Sequence, residues 1–254
     1  MSVANHQKNI LEVRDVSFAY GATPVLKNIS LAVHQGDYLG VIGPNGSGKT
    51  TLLKIMLGLL KPNSGDVRLF GHDKTLRSDR SKLGYVPQKA INFDPLFPVT
   101  VYEVVAMGRV GKKGLLKRLT ALDHQLIEKS LRQVNMLEHR DRLIGDLSGG
   151  QQQRAFIARA LAGEPEIIFL DEPTVGVDVQ TQEQFYTLLK QLNQELGLTL
   201  ILVSHDIDVI ANEATELACI NQTLVYHGAP KEFITGDYLQ KLYGKNTRFI
   251  LHDH

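Results

Sequence analysis

The stretch Gly43-Pro44-Asn45-Gly46-Ser47-Gly48-Lys49-Thr50 matches the pattern G-x-x-x-x-G-K-[ST]. Glycines have no Cβ atom, so several backbone N–H groups can face one concave anion site, which suits the oxygens of a triphosphate. Residues 37–42, which are largely apolar after Asp37, predict a strand that leads into this stretch, and residues 49–60 predict a helix whose positive N-terminal end faces the phosphates. The sequence therefore predicts a phosphate-binding loop, which we call the phosphate loop, rather than an ordinary glycine-rich turn.

Two residues of the phosphate loop have individual expected roles. Lys49 is predicted to reach the β- and γ-phosphates, and the Thr50 hydroxyl is predicted to bind Mg²⁺. Other expected nucleotide contacts come from Gly43, Pro44, Asn45, Gly46, Ser47, Gly48 and Thr51. The loop therefore predicts a nucleoside triphosphate and Mg²⁺ as cofactors.

Composition limits the classes of partner. The 254 residues suffice for one large α/β domain or two small ones. Lys and Arg number 28 against 27 Asp and Glu, so no overall positive field favours nucleic acid, and we expect no nucleic-acid partner. The single cysteine, Cys219, excludes an internal disulfide and is expected to be buried. No apolar run approaches the roughly 18 residues that cross a bilayer, so a cytoplasmic chain is expected to reach the membrane through a partner.

Strand-forming patterns precede the phosphate loop. Residues 11–18 alternate apolar and polar side chains, residues 26–33 do so less strictly, and 21–24 form a turn between them. These runs predict an antiparallel hairpin. Tyr20 lies just past the first run, where its ring could stack on an adenine; alternatively it packs on a neighbouring side chain.

A strand over 83–88 ends in Gln88, and helical patterns follow from about residue 90 to 163. The Gln88 amide could accept a hydrogen bond from water or bind Mg²⁺, although it could also be an ordinary loop glutamine. Thr100 and Glu103 form a capping box that predicts the start of a helix. The helical stretch is expected to be an insertion into the nucleotide-binding domain.

A second anion site is predicted at Leu147-Ser148-Gly149-Gly150-Gln151, which precedes an alanine-rich helical run. A serine hydroxyl and adjacent glycine N–H groups at a helix N-terminus suit a phosphate. The alternative is an ordinary serine N-cap.

Two more buried strands end in polar residues. Residues 166–173 end in Asp171 and Glu172; Asp171 is expected to hold Mg²⁺ through water and Glu172 to act as general base, unless the pair only caps the next turn. Residues 198–206 deliver His205, which could hydrogen-bond the γ-phosphate and the attacking water or merely begin the next helix.

With these residues in order, the chain resembles the ATP-binding subunits of ABC transporters over about 11–236. The nucleotide expected from this resemblance is ATP. In the family's terms the matching positions are Tyr20 (A-loop), 43–50 (Walker A), Gln88 (Q-loop), 147–151 (signature motif), 167–171 with Glu172 (Walker B and catalytic base), 175–178 (D-loop) and His205 (switch histidine).

The resemblance implies an α/β fold: a P-loop NTPase with a RecA-like core, an N-terminal antiparallel β subdomain and a helical insertion. It implies one domain over 1–254, with a helical subdomain at about 90–163 and a C-terminal tail at 237–254. It also implies head-to-tail homodimers in which Ser148, Gly149 and Gly150 of one subunit face the γ-phosphate bound by the other, and Gln151 is a further expected nucleotide-binding residue. The implied catalytic residues are Lys49, Gln88, Glu172 and His205, and Asp178 is implied to communicate across the dimer.

Finer likeness points to a subgroup. The D-loop Val175-Gly176-Val177-Asp178 replaces the more frequent Ser-Ala-Leu-Asp, and the helical insertion is short, as in the ATPases of zinc and manganese importers. Expected partners are integral-membrane permease subunits, docked by the loop after Gln88, and indirectly an extracytoplasmic solute-binding protein. The expected location is peripheral, on the cytoplasmic face of the membrane. Iron-chelate or cobalamin import, another cargo, or a soluble non-transport ABC ATPase are the alternatives. The tail His252-Asp253-His254 is expected to be an ordinary chain end rather than a zinc sensor.

Overall fold

The fold is described from a computed structural model. The described residues are 5–72, 77–88, 98–114, 117–174, 176–205, 207–236 and 238. Several predicted features lie outside them: the loop after Gln88, Val175 of the D-loop, and the tail at 252–254. The chain forms two compact units, one built from 1–76 with 199–254 and the other from 77–198; they are called unit 1 and unit 2.

Strands and helices alternate along much of the chain. The strands are β1 (Asn5–Tyr20), β2 (Thr23–Gln35), β3 (Tyr38–Ile42), β4 (Ser64–Leu69), β5 (Leu83–Val86), β6 (Ile167–Asp171), β7 (Thr199–Val203), β8 (Glu216–Asn221) and β9 (Thr223–Gly228). The helices are α1 (Lys49–Met56), α2 (Arg77–Arg80), α3 (Val101–Ala106), α4 (Val110–Lys113), α5 (Ala121–Gln133), α6 (Gly149–Ala162), α7 (Val179–Leu196), α8 (Ile207–Glu213) and α9 (Pro230–Thr235).

Unit 1 contains a three-stranded antiparallel sheet in the order β2-β1-β4. Val13 of β1 pairs with Leu31 of β2 and with Val67 of β4, and the side chains of Val13 and Leu31 are buried. The pairing of β1 with β2 thus confirms the hairpin that the alternating pattern predicted. The turn is tighter than expected, because β2 already begins at Thr23.

The strand before the phosphate loop is central in unit 1. β3 pairs in parallel with β7 on one side and with β8 on the other, and β9 pairs antiparallel with β8. All five residues of β3 and of β7 are buried, which explains why both strands are apolar runs without alternation. The phosphate loop follows the carboxyl end of β3 directly.

Helix α1 is shorter than the sequence predicted. It ends at Met56 rather than near residue 60. Gly58 adopts a left-handed backbone (φ 70°), and its N–H donates to the Ile55 carbonyl at 2.9 Å. Glycine adopts this conformation without the cost that a Cβ imposes, so it terminates the helix despite the leucines that follow.

Unit 2 combines the parallel strand pair β5–β6 with helices, among which α6 contacts α3, α5 and β5. Thr100 caps α3, and Thr120 caps α5, each through a capping box. The first box confirms the predicted helix start. The buried face of α5 includes Ile127 and Leu131, which are four positions apart and so lie on one side of the helix.

A cluster of charged side chains in unit 2, in which Arg109 and Asp123 are buried, was not anticipated from the sequence. The Arg109 guanidinium donates to Asp123 Oδ1 at 2.9 Å, to Glu164 Oε2 at 2.9 Å and to the Ala162 carbonyl at 2.7 Å. Lys113 also contacts Asp123. These contacts join the α3–α4 segment to the start of α5 and the end of α6.

Within the described ranges, none of the helices combines the length and the apolar character that crossing a bilayer requires.

Candidate nucleotide site

At two positions of the phosphate loop, both the backbone conformation and the close neighbours require a glycine. Gly43 has φ 154°, and a Cβ there would lie 2.1 Å from the Ile220 carbonyl oxygen. Gly48 has φ 102°, and its Cβ would lie 2.6 Å from Leu26 Cδ2. No side chain fits at either place, so the backbone itself lines the loop.

A positive group lies within the curve of the loop. Lys49 is buried, and its Nζ donates to the carbonyls of Gly43 at 2.8 Å and Pro44 at 3.0 Å. Gly48 is the N-cap of α1 and provides no side-chain cap to the N–H groups of the first turn. The ammonium and the helix N-terminus together favour an anion here, so these residues fit the predicted triphosphate.

Contacts within unit 1 hold the loop in place. The Ser47 carbonyl accepts from the Gln222 N–H at 3.0 Å, and the Gln222 carbonyl accepts from the Lys27 N–H at 2.7 Å. Thr51 is buried, whereas Asn45 and Gly46 are exposed at the tip. The loop therefore has a fixed base and an accessible rim.

Tyr20 lies at the end of β1 with 52% of its surface exposed. Its ring meets Phe18 edge-on, with 4.8 Å between centroids and an interplanar angle of 85°. The neighbour contact foreseen as the alternative is therefore present. The exposed remainder of the ring leaves stacking on a base as a prediction.

His205 follows β7, the strand that pairs with β3. The Ser204 N–H donates to the Val41 carbonyl at 3.2 Å, so the two strands end side by side. His205 is exposed there. The parallel pairing thus brings the histidine to the same end of β3 as the phosphate loop, as the sequence predicted.

In unit 2 the structure brings Gln88 and Glu172 together. Gln88 Nε2 donates to Glu172 Oε2 at 2.9 Å, although the residues are 84 positions apart. Glu172 has φ 44°, a left-handed conformation that costs a non-glycine residue about 1–2 kcal/mol. Such strain is characteristic of functional positions. The neighbouring Asp171 is buried at the end of β6.

Ser148 is the N-cap of α6. Its Oγ accepts from the Gln151 N–H at 3.3 Å, and its own N–H donates to Gln151 Oε1 at 3.1 Å. The serine N-cap foreseen as an alternative is thus observed, and the helix N-terminus it caps is also where an anion is stabilised. Gly149 begins the helix, and a Cβ on Gly150 would lie 2.3 Å from Thr181 Cγ2.

Asp178 has a structural role that the sequence reasoning overlooked. Its Oδ1 accepts from the Thr181 N–H at 3.0 Å and caps α7. These hydrogen bonds lower the pKa of the Asp178 carboxyl. An aspartate directly before a long amphipathic helix is an N-cap signal that could have revealed this.

A His/Asp/Glu cluster in unit 1 was also overlooked. The ligating atoms of His34, Asp37 and Glu216 all lie within 4.8 Å of one another. The spacing of His34 and Asp37 within one turn was visible in the sequence, but Glu216 comes from a strand almost 180 positions later.

Comparison with known proteins agrees with the geometry. The family model "ABC transporter" matches residues 26–175. The zinc uptake system ATP-binding protein ZurA of Listeria innocua is 46% identical over 88% of this chain and 87% of its own length. The manganese transport system ATP-binding protein MntB of Bacillus subtilis is 40% identical over 94% of both chains.

Solved structures agree as well. The ATP-binding cassette MJ0796, in a dimeric post-hydrolysis state bound to ADP and Pi, superposes with a TM-score of 0.73 and 30% identity, covering 87% of this chain and 98% of that one. The mixed α/β fold and the order of the predicted motifs match this likeness. The chain therefore belongs to the ABC transporter family and is one of its nucleotide-binding, ATP-hydrolysing subunits.

Proposed function

We propose that this chain is the ATPase of an importer for a divalent metal ion, zinc or manganese, and that it works at the cytoplasmic face of a membrane. The observation that carries the proposal is the match of nearly the whole chain to ATP-binding proteins named for zinc and manganese uptake. The identity extends well beyond the nucleotide motifs, which all ABC ATPases share.

The phosphate loop holds the nucleotide in this proposal. The buried Lys49 ammonium and the uncapped N-terminus of α1 support binding of the β- and γ-phosphates of ATP. Tyr20 supplies an exposed ring for the adenine. Thr50, Gln88 and Asp171 would hold Mg²⁺, since hydroxyl, amide and carboxylate oxygens suit this ion. Bound Mg²⁺ neutralises charge on the phosphate oxygens.

Glu172 is the proposed general base for the attacking water. The hydrogen bond from Gln88 Nε2 supports this role because it orients the Glu172 carboxylate. Lys49 and His205 are the proposed partners of the γ-phosphate, one as a fixed cation and the other as a hydrogen-bonding side chain next to the phosphate loop.

The proposed working form is a head-to-tail homodimer. Ser148, Gly149 and Gly150 of one subunit would contact the γ-phosphate held by the phosphate loop of the other, with Gln151 next to them. The capped N-terminus of α6 supports this, as does the dimeric state of the related cassette MJ0796. Asp178 would carry communication across the dimer from its position at the start of α7.

The proposed partners are integral-membrane permease subunits and, through them, an extracytoplasmic solute-binding protein. The loop after Gln88 would dock the permease. Support comes from relatives named as ATP-binding proteins of uptake systems.

Isotope uptake in the native cell tests the proposal. A strain lacking the gene is supplied with wild-type protein, with Glu172→Gln or with the control Glu166→Gln. Glu166 lies just before β6 and forms an exposed ion pair with Lys82, so the control makes the same chemical change outside the nucleotide site. Wild type and Glu166→Gln should restore uptake of ⁶⁵Zn²⁺ or ⁵⁴Mn²⁺. Glu172→Gln should lower uptake and ATP hydrolysis by about 100-fold or more, because general-base catalysis is lost while ATP binding remains.

Two results would contradict the proposal. If neither isotope depends on the gene but a metal chelate does, the cargo is wrong and the ATPase role remains. If Glu172→Gln hydrolyses ATP like wild type, the catalytic assignment is wrong.

A further inference from the structure

Four titratable side chains gather at the amino end of β3, away from the phosphate loop. His34 lies at the end of β2, Asp37 in the turn before β3, Glu216 at the start of β8 and His227 near the end of β9. The strand pairing explains the gathering, because Glu216 is opposite Leu39 and His227 is opposite Ala218. All four lie within unit 1.

The spacing of the donor atoms suits one small cation. His34 Nδ1 lies 3.1 Å from Asp37 Oδ2 and 4.0 Å from Glu216 Oε1. Ligands about 2.1 Å from a tetrahedral Zn²⁺ lie about 3.4 Å from one another, so modest side-chain rotations bring the three atoms to that separation. His227 Nε2 lies 3.2 Å from Glu216 Oε2, the other oxygen of that carboxylate.

The turn already holds its residues in this arrangement. The His34 N–H donates to Asp37 Oδ2 at 2.7 Å, the Gly36 N–H donates to Thr199 Oγ1 at 2.9 Å, and the Tyr38 N–H donates to Thr215 Oγ1 at 2.8 Å. Asp37 therefore lies on a braced turn, His34 at the end of the strand that precedes it, and Glu216 on a strand that pairs with β3. A metal ion would find its ligands largely preorganised.

Charge favours a cation at this place. Two acidic side chains lie together here, those of Asp37 and Glu216, and a divalent ion would balance the charge of their carboxylates. The Asp37 side chain is fully buried, whereas the other three are about one-fifth exposed. A cation would offset the cost of burying the Asp37 carboxylate next to the Glu216 carboxylate.

We propose that His34, Asp37 and Glu216 bind a divalent transition-metal ion of the zinc class. One imidazole and two carboxylates are ligands that Zn²⁺ accepts, with water completing the tetrahedron. His227 is a neighbour of this ligand shell, with its Nε2 3.2 Å from Glu216 Oε2. This site is separate from the nucleotide site, because the five residues of β3 span about 16 Å between them. It does not depend on the cargo proposed above.

The site joins elements that frame the phosphate loop. The bound ion would tie the β2–β3 turn to the β8–β9 hairpin, whose tip residue Gln222 supports Ser47. Its expected effect is to stabilise unit 1 rather than to take part in hydrolysis.

Zinc binding to the purified full-length chain tests the proposal. The tag-free protein is stripped with a chelator, then titrated with Zn²⁺ against a chromogenic chelator without nucleotide and with millimolar Mg²⁺ present. His34→Gln and Glu216→Gln each remove one ligand. His72→Gln and the double change His252→Gln/His254→Gln are matched controls, since they alter histidines outside the cluster.

We expect wild type and both controls to bind one Zn²⁺ per chain, and each ligand variant to bind at least about tenfold more weakly. Zinc should raise the thermal unfolding midpoint of wild type and not that of the ligand variants. Circular dichroism without zinc shows whether each variant is folded. Two ligand variants are made so that the test can still be read if one of them fails to fold. The proposal is overturned if folded ligand variants bind like wild type, if only the tail variant loses binding, or if wild type binds no Zn²⁺.

Discussion

At the scale of single residues, the phosphate loop owes its shape to glycines that are not equivalent. Gly48 combines a left-handed backbone with close neighbours, whereas Gly46 is left-handed (φ 78°) with nothing within 4 Å of the Cβ that an alanine would add. The sequence pattern names both positions, but only the surroundings distinguish them.

Alanine substitution should separate the two glycines. Gly46→Ala should lower the free energy of unfolding by about 1–2 kcal/mol through backbone strain alone. Gly48→Ala should cost about 1–3 kcal/mol more, because its Cβ collides with Leu26 and Val25. It should also weaken ATP binding, since the N-terminus of α1 must shift.

Urea denaturation measures the stability difference, and equilibrium titration with a fluorescent ATP analogue measures affinity. Equal losses of stability for the two variants would show that packing around Gly48 does not constrain the loop.

Glu172 is a residue whose backbone conformation and hydrogen bonding could not be predicted from the sequence. Its side chain was identified from the strand end, but its left-handed backbone and its hydrogen bond with Gln88 were not. Neither follows from local propensity, because glutamate has no preference for this conformation.

At the scale of elements, the starts of helices were the feature that the sequence predicted best. Thr100 and Ser148 each begin a capping box, and both boxes form in the structure. Capping is local chemistry within four residues, so it can be predicted without knowledge of the fold. The end of α1 was misjudged because leucines beyond Met56 favour helix, while Gly58 ends it.

Removing these two caps should separate stability from function. Ser148→Ala and Thr100→Ala should each lower the free energy of unfolding by about 1 kcal/mol, since each loses one capping box. Only Ser148→Ala should also impair ATP-dependent dimerisation, because only α6 is proposed to meet the partner's nucleotide.

Size-exclusion chromatography with light scattering, performed with ATP in a Glu172→Gln background, measures dimerisation. If Thr100→Ala impaired it equally, loss of helix stability would be the cause and the role of Ser148 across the dimer would be wrong. Loss of ATP affinity in the Ser148→Ala monomer would also contradict that role.

At the scale of the whole molecule, buried charge links stability to pH. Hydrogen bonds from Lys113, then Thr120, and finally Arg109 hold the pKa of the Asp123 carboxyl well below its usual range. The unfolded chain therefore takes up this proton at higher pH than the folded chain does. The stabilisation is complete above the ordinary pKa of about 4 and is lost as pH falls below it.

Asp123→Asn should remove that dependence. The variant should be less stable than wild type at pH 7, and the difference in the free energy of unfolding should narrow as pH falls below about 4. In that range the free energy of unfolding of wild type should depend on pH more steeply than that of the variant, by the equivalent of about one bound proton. The control Asp141→Asn changes a largely exposed carboxylate and should follow wild type. Urea midpoints across the pH range provide the measurement; a constant difference at all pH values would show that the Asp123 charge is not what stabilises unit 2.

By itself the sequence determined the phosphate loop, the strands that lead to Asp171 and His205, the helix starts at Thr100 and Ser148, and the family. These features depend on residues close together in the chain, where glycine conformation, side-chain period and capping act directly.

Only the tertiary structure decided which distant residues meet. Gln88 reaches Glu172, Arg109 reaches Asp123 and Glu164, and the turn at His34 and Asp37 reaches Glu216. These partners are separated by 14 to about 180 positions. Their meeting is selected by strand pairing and helix packing, which bury enough apolar surface to offset the entropy of closing such loops.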